Sequence, residues 1–451
     1  MRLTLIHPCI GRKPGQKYIG TWQMEPLPAA TLAGLTPPDV DVKFYDDRME
    51  AIPFDEPTDL VAISVETYTA KRAYQIASEY RKRQIPVVMG GFHAMLCPEE
   101  VADYAEAVVV GEAEHLAAGD RRRPPRHAAK DLHCFLGTPN LRGLRPERSI
   151  FRGKKYLPIG LVEAGRGCHF KCDFCAIQTV FERTQTRRPV DDIIAELTRL
   201  RGENKRFFFF VDDNITSNMR QAKELYEALI PLKIRWVSQA SINAAHDEEF
   251  LDLIARSGCE GLLIGFESLN PDNLKAMDKG FNTMKGGFEV ALANLRRYGI
   301  KLYLTFVFGY DEDTPDTFMQ TVEFAKDHRI YIGAFNHLTP FPGTPLYDRL
   351  AQEGRLLYES WWLDDAYRYN MIPFQPKRMS PEELQRGCLE ARKAFYTVPS
   401  IVRRSMDRVN RPDFFMFWNF YLINWMIRGE VAARDFYPLG DPLWQGELIK
   451  S

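Results

Sequence analysis

Two stretches of this chain repeat one alternation, a short apolar strand-forming run followed by an amphipathic helical stretch, and that pattern leaves few folds open. In the first stretch the runs are "RLTLIHP" (2–8), "DVKFYDD" (41–47), "LVAISVE" (60–66), "IPVVMGG" (85–91) and "AEAVVVGE" (105–112). Between them lie segments such as "TAKRAYQIASEYRKR" (69–83), with apolar positions at helical spacing. Buried strands joined by helices predict a doubly wound, Rossmann-like domain with a parallel sheet. The second stretch runs through "LPIGLVEAG" (157–165), "RFFFFVDD" (206–213), "IRWVSQA" (234–240), "EGLLIGFES" (260–268), "KLYLTFVFG" (301–309) and "YIGAFNHLT" (331–339). Helices such as 190–200, 219–230, 247–258 and 314–328 separate most of these runs. Six strand–helix units predict a partial (β/α)6 barrel of TIM type, with ligands at the C-terminal strand ends.

Between the two, "GDRRRPPRHAAKD" (119–131) breaks the rhythm with two prolines, a glycine and a basic cluster, and reads as a linker. At 451 residues the chain is too long for one ordinary core. The expected division is 1–118, a linker at 119–155, the barrel at 156–340 and a helical C-terminal region at 341–451. Lys+Arg 59 against Asp+Glu 60 gives a net charge of -1, so nothing global attracts nucleic acid. The cluster Arg121–Arg126 reads as a solvated crossing, with no interleaved aromatics.

Met1 leads straight into a strand, so neither signal nor transit peptide is expected. The apolar run "FFMFWNFYLINWMI" (414–427) is too short to span a bilayer and carries Asn419 and Asn424; it reads as a helix that packs in the core, with a dimer face or a contact for a lipid-like substrate as the alternatives. Of eight cysteines, Cys9, Cys97, Cys134, Cys259 and Cys388 are scattered, as in a reducing cytoplasm. Cys168, Cys172 and Cys175 are bunched in "GRGCHFKCDFCAIQT" (165–179).

Three thiols following the first barrel strand admit several chemistries. A structural zinc site wants four ligands, and His169 adjoins Cys168 too closely to supply the fourth easily. A redox dithiol needs only Cys172-x-x-Cys175, usually in a thioredoxin-like setting. A 4Fe-4S cluster on three thiolates leaves one iron open to substrate.

The spacing Cys168-x-x-x-Cys172-x-Phe174-Cys175 resembles the signature of the radical S-adenosylmethionine enzymes. The resemblance implies that the three cysteines hold a 4Fe-4S cluster whose free iron chelates S-adenosylmethionine, with Phe174 against the adenine and a reducing partner such as flavodoxin or ferredoxin. It assigns no catalytic residue beyond the cluster. Further segments resemble the family's strand-end motifs: "FFFVDDNIT" nominates Asp212, Asp213 and Asn214 for the methionine amino group; "VSQASIN" nominates Gln239 and Ser241; "LLIGFESLN" nominates Gly265, Glu267 and Ser268; "FVFGYDEDTP" nominates Phe308 and Gly309 at the adenine.

The order of the two domains is similar to the class of this family with an N-terminal cobalamin-binding domain, on "SVETYTAKRAYQIA", "VVMGGFHAMLCPEEV", "AVVVGEAE" and, near the C-terminus, "FNHLTPFPGTPLYDRL". Gly90, Gly91 and Gly111 stand at strand ends where a side chain would block a flat ligand, and Ser64, Glu66, Thr67, His93 and Glu112 supply polar contacts. The motif Asp-x-His-x-x-Gly of cobalt-ligating domains is absent after the first strand; "DLHCFLG" (131–137) has one residue too many. The domain therefore binds cobalamin without that histidine or serves as a lid. The resemblance implies radical methyl transfer to an unactivated carbon of a small molecule in secondary metabolism. The alternative is a cobalamin-independent reaction, such as transfer of the 3-amino-3-carboxypropyl group in the biosynthesis of arsenic-containing amino acids.

Overall fold

The computed structural model describes residues 1–15, 23–117, 131–134, 138–283 and 286–450. Most of the stretch 119–131 lies outside the described residues, as do 135–137 of "DLHCFLG". The first sheet comprises β1 (Arg2–His7), β2 (Asp41–Asp46), β3 (Leu60–Ser64), β4 (Val87–Gly90), β5 (Ala107–Val110) and β6 (Asp131–Cys134). All pairs are parallel, in the order β2-β1-β3-β4-β5-β6. β6 corrects the sequence reading, which took 119–155 as linker: four of those residues extend the sheet beside β5.

The strands run parallel because each connection is long enough to cross back over the sheet. Helix Ala70–Lys82 buries Tyr74 and Tyr80 in one core with Val61, Ile63 and Met89 of the sheet. Trp361, Trp362 and Leu439 join that same core, so the C-terminal region wraps the first sheet. Its last residues tie on through Trp444 Nε1 to Glu79 (2.8 Å) and Ile449 N to Ser78 Oγ (2.9 Å). On the opposite face, helix Leu27–Leu35 covers only β1 and β2, through Leu5, Ala30 and Phe44. The same face of β3, β4 and β5, with Ala62, Val88, Gly90, Ala107 and Val109, is left open to a cavity.

The second sheet holds β7 (Gly160–Val162), β10 (Phe207–Phe210), β11 (Arg235–Ala240), β12 (Cys259–Glu267), β13 (Lys301–Phe308) and β14 (Ile332–His337), all parallel in chain order from β7 to β14. Side chains alternate as the pleat requires. On β13, Leu302, Leu304, Phe306 and Phe308 are buried outward against helices, while Tyr303, Thr305 and Val307 are half-buried on the concave side. An antiparallel pair, β8 (Gly165–Gly167) with β9 (Gln185–Arg187), was not foreseen and carries the cysteine segment between its strands.

His337, the last residue of β14, is buried with Nδ1 3.0 Å from the Leu338 carbonyl, and burial pushes its pKa from 6.5 down to about 4. The unfolded chain binds a proton near 6.5 that the folded chain refuses, so the contribution of His337 to stability falls as pH drops through that window. At about pH 5 the penalty is about 2 kcal/mol. His337→Gln should remove this contribution and leave that of His7, which burial likewise lowers to about 4, and the difference between the denaturant midpoints of the two proteins at about pH 7 and 5 measures it.

The run 414–427 also departs from expectation. It forms helix Phe414–Glu430, which crosses the N-terminal ends of the barrel strands. Only Met416, Phe420 and Asn424 of that helix are buried, rather than a full core helix.

Candidate active site and interdomain cavity

The cysteine segment leaves β8 through Gly167, whose φ of +87° favours glycine and whose Cβ would lie 2.3 Å from the Thr184 carbonyl oxygen. Cys168 and Cys175 are half-buried, Cys172 is buried, and Cys175 begins helix Ala176–Phe181. The segment is pinned by groups other than its thiols. Gly167 N donates to Asp213 Oδ2 (2.7 Å), His169 N to Ser217 Oγ (3.0 Å), and Leu346 N to the Asp173 carbonyl (3.0 Å). The Tyr310 hydroxyl donates to the Asp173 carboxylate.

Burial pushes the Cys172 thiol up to about 12 and the Cys175 thiol upward, while the Lys279 ammonium opposes both shifts. Three soft sulfur donors beside a buried cation fit a 4Fe-4S cluster, which takes thiolates and offsets their desolvation. Lys279 is held by Glu267 (2.6 Å) and the Gly265 carbonyl (3.3 Å), and its ammonium lies 6.0 Å from the centre of the Phe174 ring. Sequence reasoning missed Lys279, which only the tertiary fold brings to the thiols.

The strand-end residues divide. Asn214 Nδ2 reaches Cys168 Sγ and Ser241 Oγ, both at 3.4 Å, and its Oδ1 accepts from Thr216 Oγ1 (2.9 Å), another group the sequence did not single out. Gln239 is half-buried on the concave face of β11. Asp212 is buried; its Oδ1 accepts from Ala164 N (2.8 Å), and its Oδ2 lies 3.6 Å from Arg187. Burial lifts its carboxyl to about 7, and that of Asp213 to about 6. Both carboxyls thus brace the loop, Asp213 through Gly167 and Asp212 through Ala164.

Gly265 leaves room for the Glu267–Lys279 pair: a Cβ would meet Glu267 Oε1 at 2.0 Å and Lys279 Nζ at 2.8 Å and would displace these side-chain ends. Glu267 itself adopts φ +62° at a bulge between β12 and β13. Ser268 Oγ accepts from Asn270 N (3.1 Å). Phe308 is corrected: it is packed between Phe318 and Phe335 in the core, not at a ligand shelf. Gly309, at φ +107°, passes close to Leu384 and donates its N–H to Asp313 (2.9 Å), so it serves helix packing.

A cavity of about 1490 Å³ opens between the C-terminal edge of the first sheet and the barrel. It sits at the β1/β3 switch point, where open parallel sheets bind ligands. Ser64, Glu66, Gly90, Gly91, Gly111 and Glu112 line it, and Leu161, Glu163, Arg166 and Asp213 face them from the barrel. Arg166 clasps the two halves, 3.1 Å from Glu112, 2.8 Å from Glu114 and 2.5 Å from Glu163. Burial raises Glu112 to about 7 against the pull of Arg166.

Thr67 and His93 do not reach this cavity. His93 is fully buried behind the sheet, between Thr67 Oγ1 (3.3 Å) and Glu100 (3.0 Å), and is structural. Gly91 also changes role: at φ +99°, its Cβ would strike the Val65 carbonyl oxygen at 2.8 Å, so the close approach is to Val65. Gly90 faces the cavity, and its Cβ would be 3.5 Å from Val109 Cβ, an ordinary contact. A glycine-bordered slot of this size along an uncovered sheet face fits a corrinoid with its nucleotide tail. Of the scattered cysteines, Cys9 borders the cavity, but its thiol donates to Asp47 (2.8 Å), and Cys388 is buried in the barrel core.

Comparison with known proteins agrees with this geometry. The profile of the radical SAM superfamily matches residues 162–325, and a domain of unknown function matches 344–412. Together with the partial barrel and its cysteine loop, the first match defines the class as radical S-adenosylmethionine enzymes. The chain is 32% identical over 394 residues to the bacteriochlorophyllide d C-12(1)-methyltransferase of Chlorobaculum tepidum, covering 85% of each. It is 28% identical over 400 residues to that organism's bacteriochlorophyllide d C-8(2)-methyltransferase, covering 83% of this chain and 86% of the relative. The radical S-adenosylmethionine methyltransferase TsrM of Kitasatospora setae, with cobalamin and a [4Fe-4S] cluster, shares the fold at a TM-score of 0.61 and 18% identity, over 86% of this chain and 81% of that one.

The chain belongs to the cobalamin-dependent radical S-adenosylmethionine methyltransferases, which work with a 4Fe-4S cluster, S-adenosylmethionine and cobalamin. The cobalamin-independent alternative and the lid reading of the first domain are thereby set aside. No helix among the described residues is long and apolar enough to cross a membrane.

Proposed function

We propose that this enzyme methylates an unactivated carbon in an alkyl substituent of a chlorophyll-type tetrapyrrole. The observation that carries this reading is the 32% identity, spread over 85% of both chains, to an enzyme named for bacteriochlorophyllide d. A cavity walled by Leu3, Leu5, Leu27, Leu161, Val211 and Phe181 suits a flat apolar ring system beside a corrinoid.

In this reading Cys168, Cys172 and Cys175 hold the cluster, fed electrons by a small carrier such as flavodoxin or ferredoxin. Phe174, Asn214, Gln239, Ser241, Gly265, Glu267 and Ser268 border S-adenosylmethionine. Ser64, Glu66, Gly90, Gly91, Gly111 and Glu112 border cobalamin. When bound, these groups supply the hydrogen-abstracting radical and the methyl carrier. The protein's own work is placement. Asp213, Ser217 and the Leu346 N–H fix the cysteine segment, Lys279 keeps positive charge beside the thiolates, and Arg166 holds the two halves together with buried carboxylates that exclude water.

The test is anaerobic turnover of the reconstituted enzyme with S-adenosylmethionine, hydroxocobalamin, a strong reductant and bacteriochlorophyllide d. A product heavier by one CH2, formed together with 5'-deoxyadenosine, is expected. Release of 5'-deoxyadenosine with no methylated tetrapyrrole would overturn the substrate class and leave the reaction type standing.

A further inference from the structure

Helix Phe414–Glu430 presents an apolar stripe that nothing in the described structure covers: Phe414 is 76% exposed, Trp418 57%, Leu422 58% and Trp425 58%. At helical spacing these four side chains share one face, and Phe415 flanks them. The neighbouring helix Val398–Ser405 and the turn after it add exposed Val398, Val402 and Met406. Aromatic stripes of this extent on a soluble surface mark an interaction site.

Charge selects the partner. Arg408 and Arg411 precede the stripe and Arg428 ends it, all exposed, with the Arg428 guanidinium 5.6 Å from the Trp425 ring centre. The acidic residues just before the helix are already engaged, Asp407 by Arg296 (2.6 Å) and Asp413 by Arg235. Elsewhere in segment 398–434, Arg404 is buried, Arg403 pairs with Asp327 (2.9 Å) and Arg434 pairs with Glu430, so Arg408, Arg411 and Arg428 carry the positive charge beside the stripe, although the whole chain has a net charge of -1. A second copy docking face to face would set one basic patch against another, which disfavours it. An anionic lipid headgroup layer complements both features, arginines at the phosphates and Trp and Phe at the acyl boundary.

We infer that this stripe docks the enzyme on an anionic membrane surface, lying in the interface rather than crossing it. Phe415 contacts Phe207 at the start of β10, Asp413 pairs with Arg235 at the start of β11, and Phe420 packs on Tyr331 just before β14. The helix therefore covers the N-terminal end of the barrel. The cysteine loop and the cavity lie at the opposite, C-terminal end, so a docked enzyme keeps its mouth open to substrate and reductant.

Flotation of the full-length, cluster-reconstituted protein with phosphatidylcholine vesicles, with and without phosphatidylglycerol, tests it. The protein should float with the anionic vesicles and not with the neutral ones, and added salt should weaken the association. W418D/W425D should reduce the bound fraction by about tenfold or more while iron content and S-adenosylmethionine cleavage stay at wild-type levels. The milder W418S/W425S serves if the charged pair disturbs folding. Two results overturn the inference: no flotation with anionic vesicles at low salt, or a wild-type dimer in sedimentation that either double variant converts to a monomer.

Discussion

Replacing Cys172 by alanine is expected to abolish both the iron-sulfur absorption and S-adenosylmethionine cleavage while leaving a soluble, folded chain. The expectation separates ligation from folding because the loop is held by groups other than thiols: Asp213 on Gly167, Ser217 on His169, and the Asp173 contacts to Leu346 and Tyr310. Removing one buried sulfur costs about 1–2 kcal/mol in packing, against a stability of about 5–15 kcal/mol. Binding loses far more, since in the proposed ligation each cysteine would be one of three thiolates for the cluster. Cys168→Ala and Cys175→Ala should behave alike. Iron and sulfide analysis with visible spectra measures the effect, and retention of about three or more irons per chain in any single variant would refute the ligand assignment.

Much of this architecture could be read from the sequence because strand and helix periodicities are local. Both parallel sheets and the cysteine loop at a strand end follow from alternation and spacing. What escaped depended on tertiary partners. β6 is four residues beside a basic, proline-containing stretch, and its strand character comes from pairing with β5. Helix 414–430 is apolar on every side, so its composition cannot distinguish a core helix from an exposed one; only its position across the barrel base does. Lys279 follows Asp278, at φ +56°, and nothing in its local sequence directs it to the thiols. Phe308 is different, for strand parity, which the motif match overrode, was open to reading: it shares its face with Leu304 and Phe306, and the concave position is Val307. His93 likewise lies two residues after a glycine pair that does border the cavity, but the short helix Phe92–Leu96 turns its ring back onto Glu100.

That same geometry decides how cobalamin binding is best obstructed. The glycine pair at the end of β4 invites substitution at either position, yet the two are not equivalent. At Gly91 a side chain meets the Val65 backbone and a φ of +99° that L-residues resist, so Gly91→Leu strains the sheet edge and loses ligand through local distortion. At Gly90 the Cβ sits at an ordinary 3.5 Å from Val109 Cβ and the rest of a leucine extends into the cavity. Gly90→Leu is therefore expected to fold with a thermal midpoint near that of the wild type, to keep its iron, and to lose its cobalamin. Cleavage of S-adenosylmethionine should persist, because the cysteine loop is braced from within the barrel and by the C-terminal region, while methyl transfer falls to background. Cobalamin and iron per chain, measured in the wild type, Gly90→Leu and Gly91→Leu, discriminate the causes. A Gly90→Leu protein with wild-type cobalamin content would mean that the corrinoid binds elsewhere than along the open face of β3, β4 and β5.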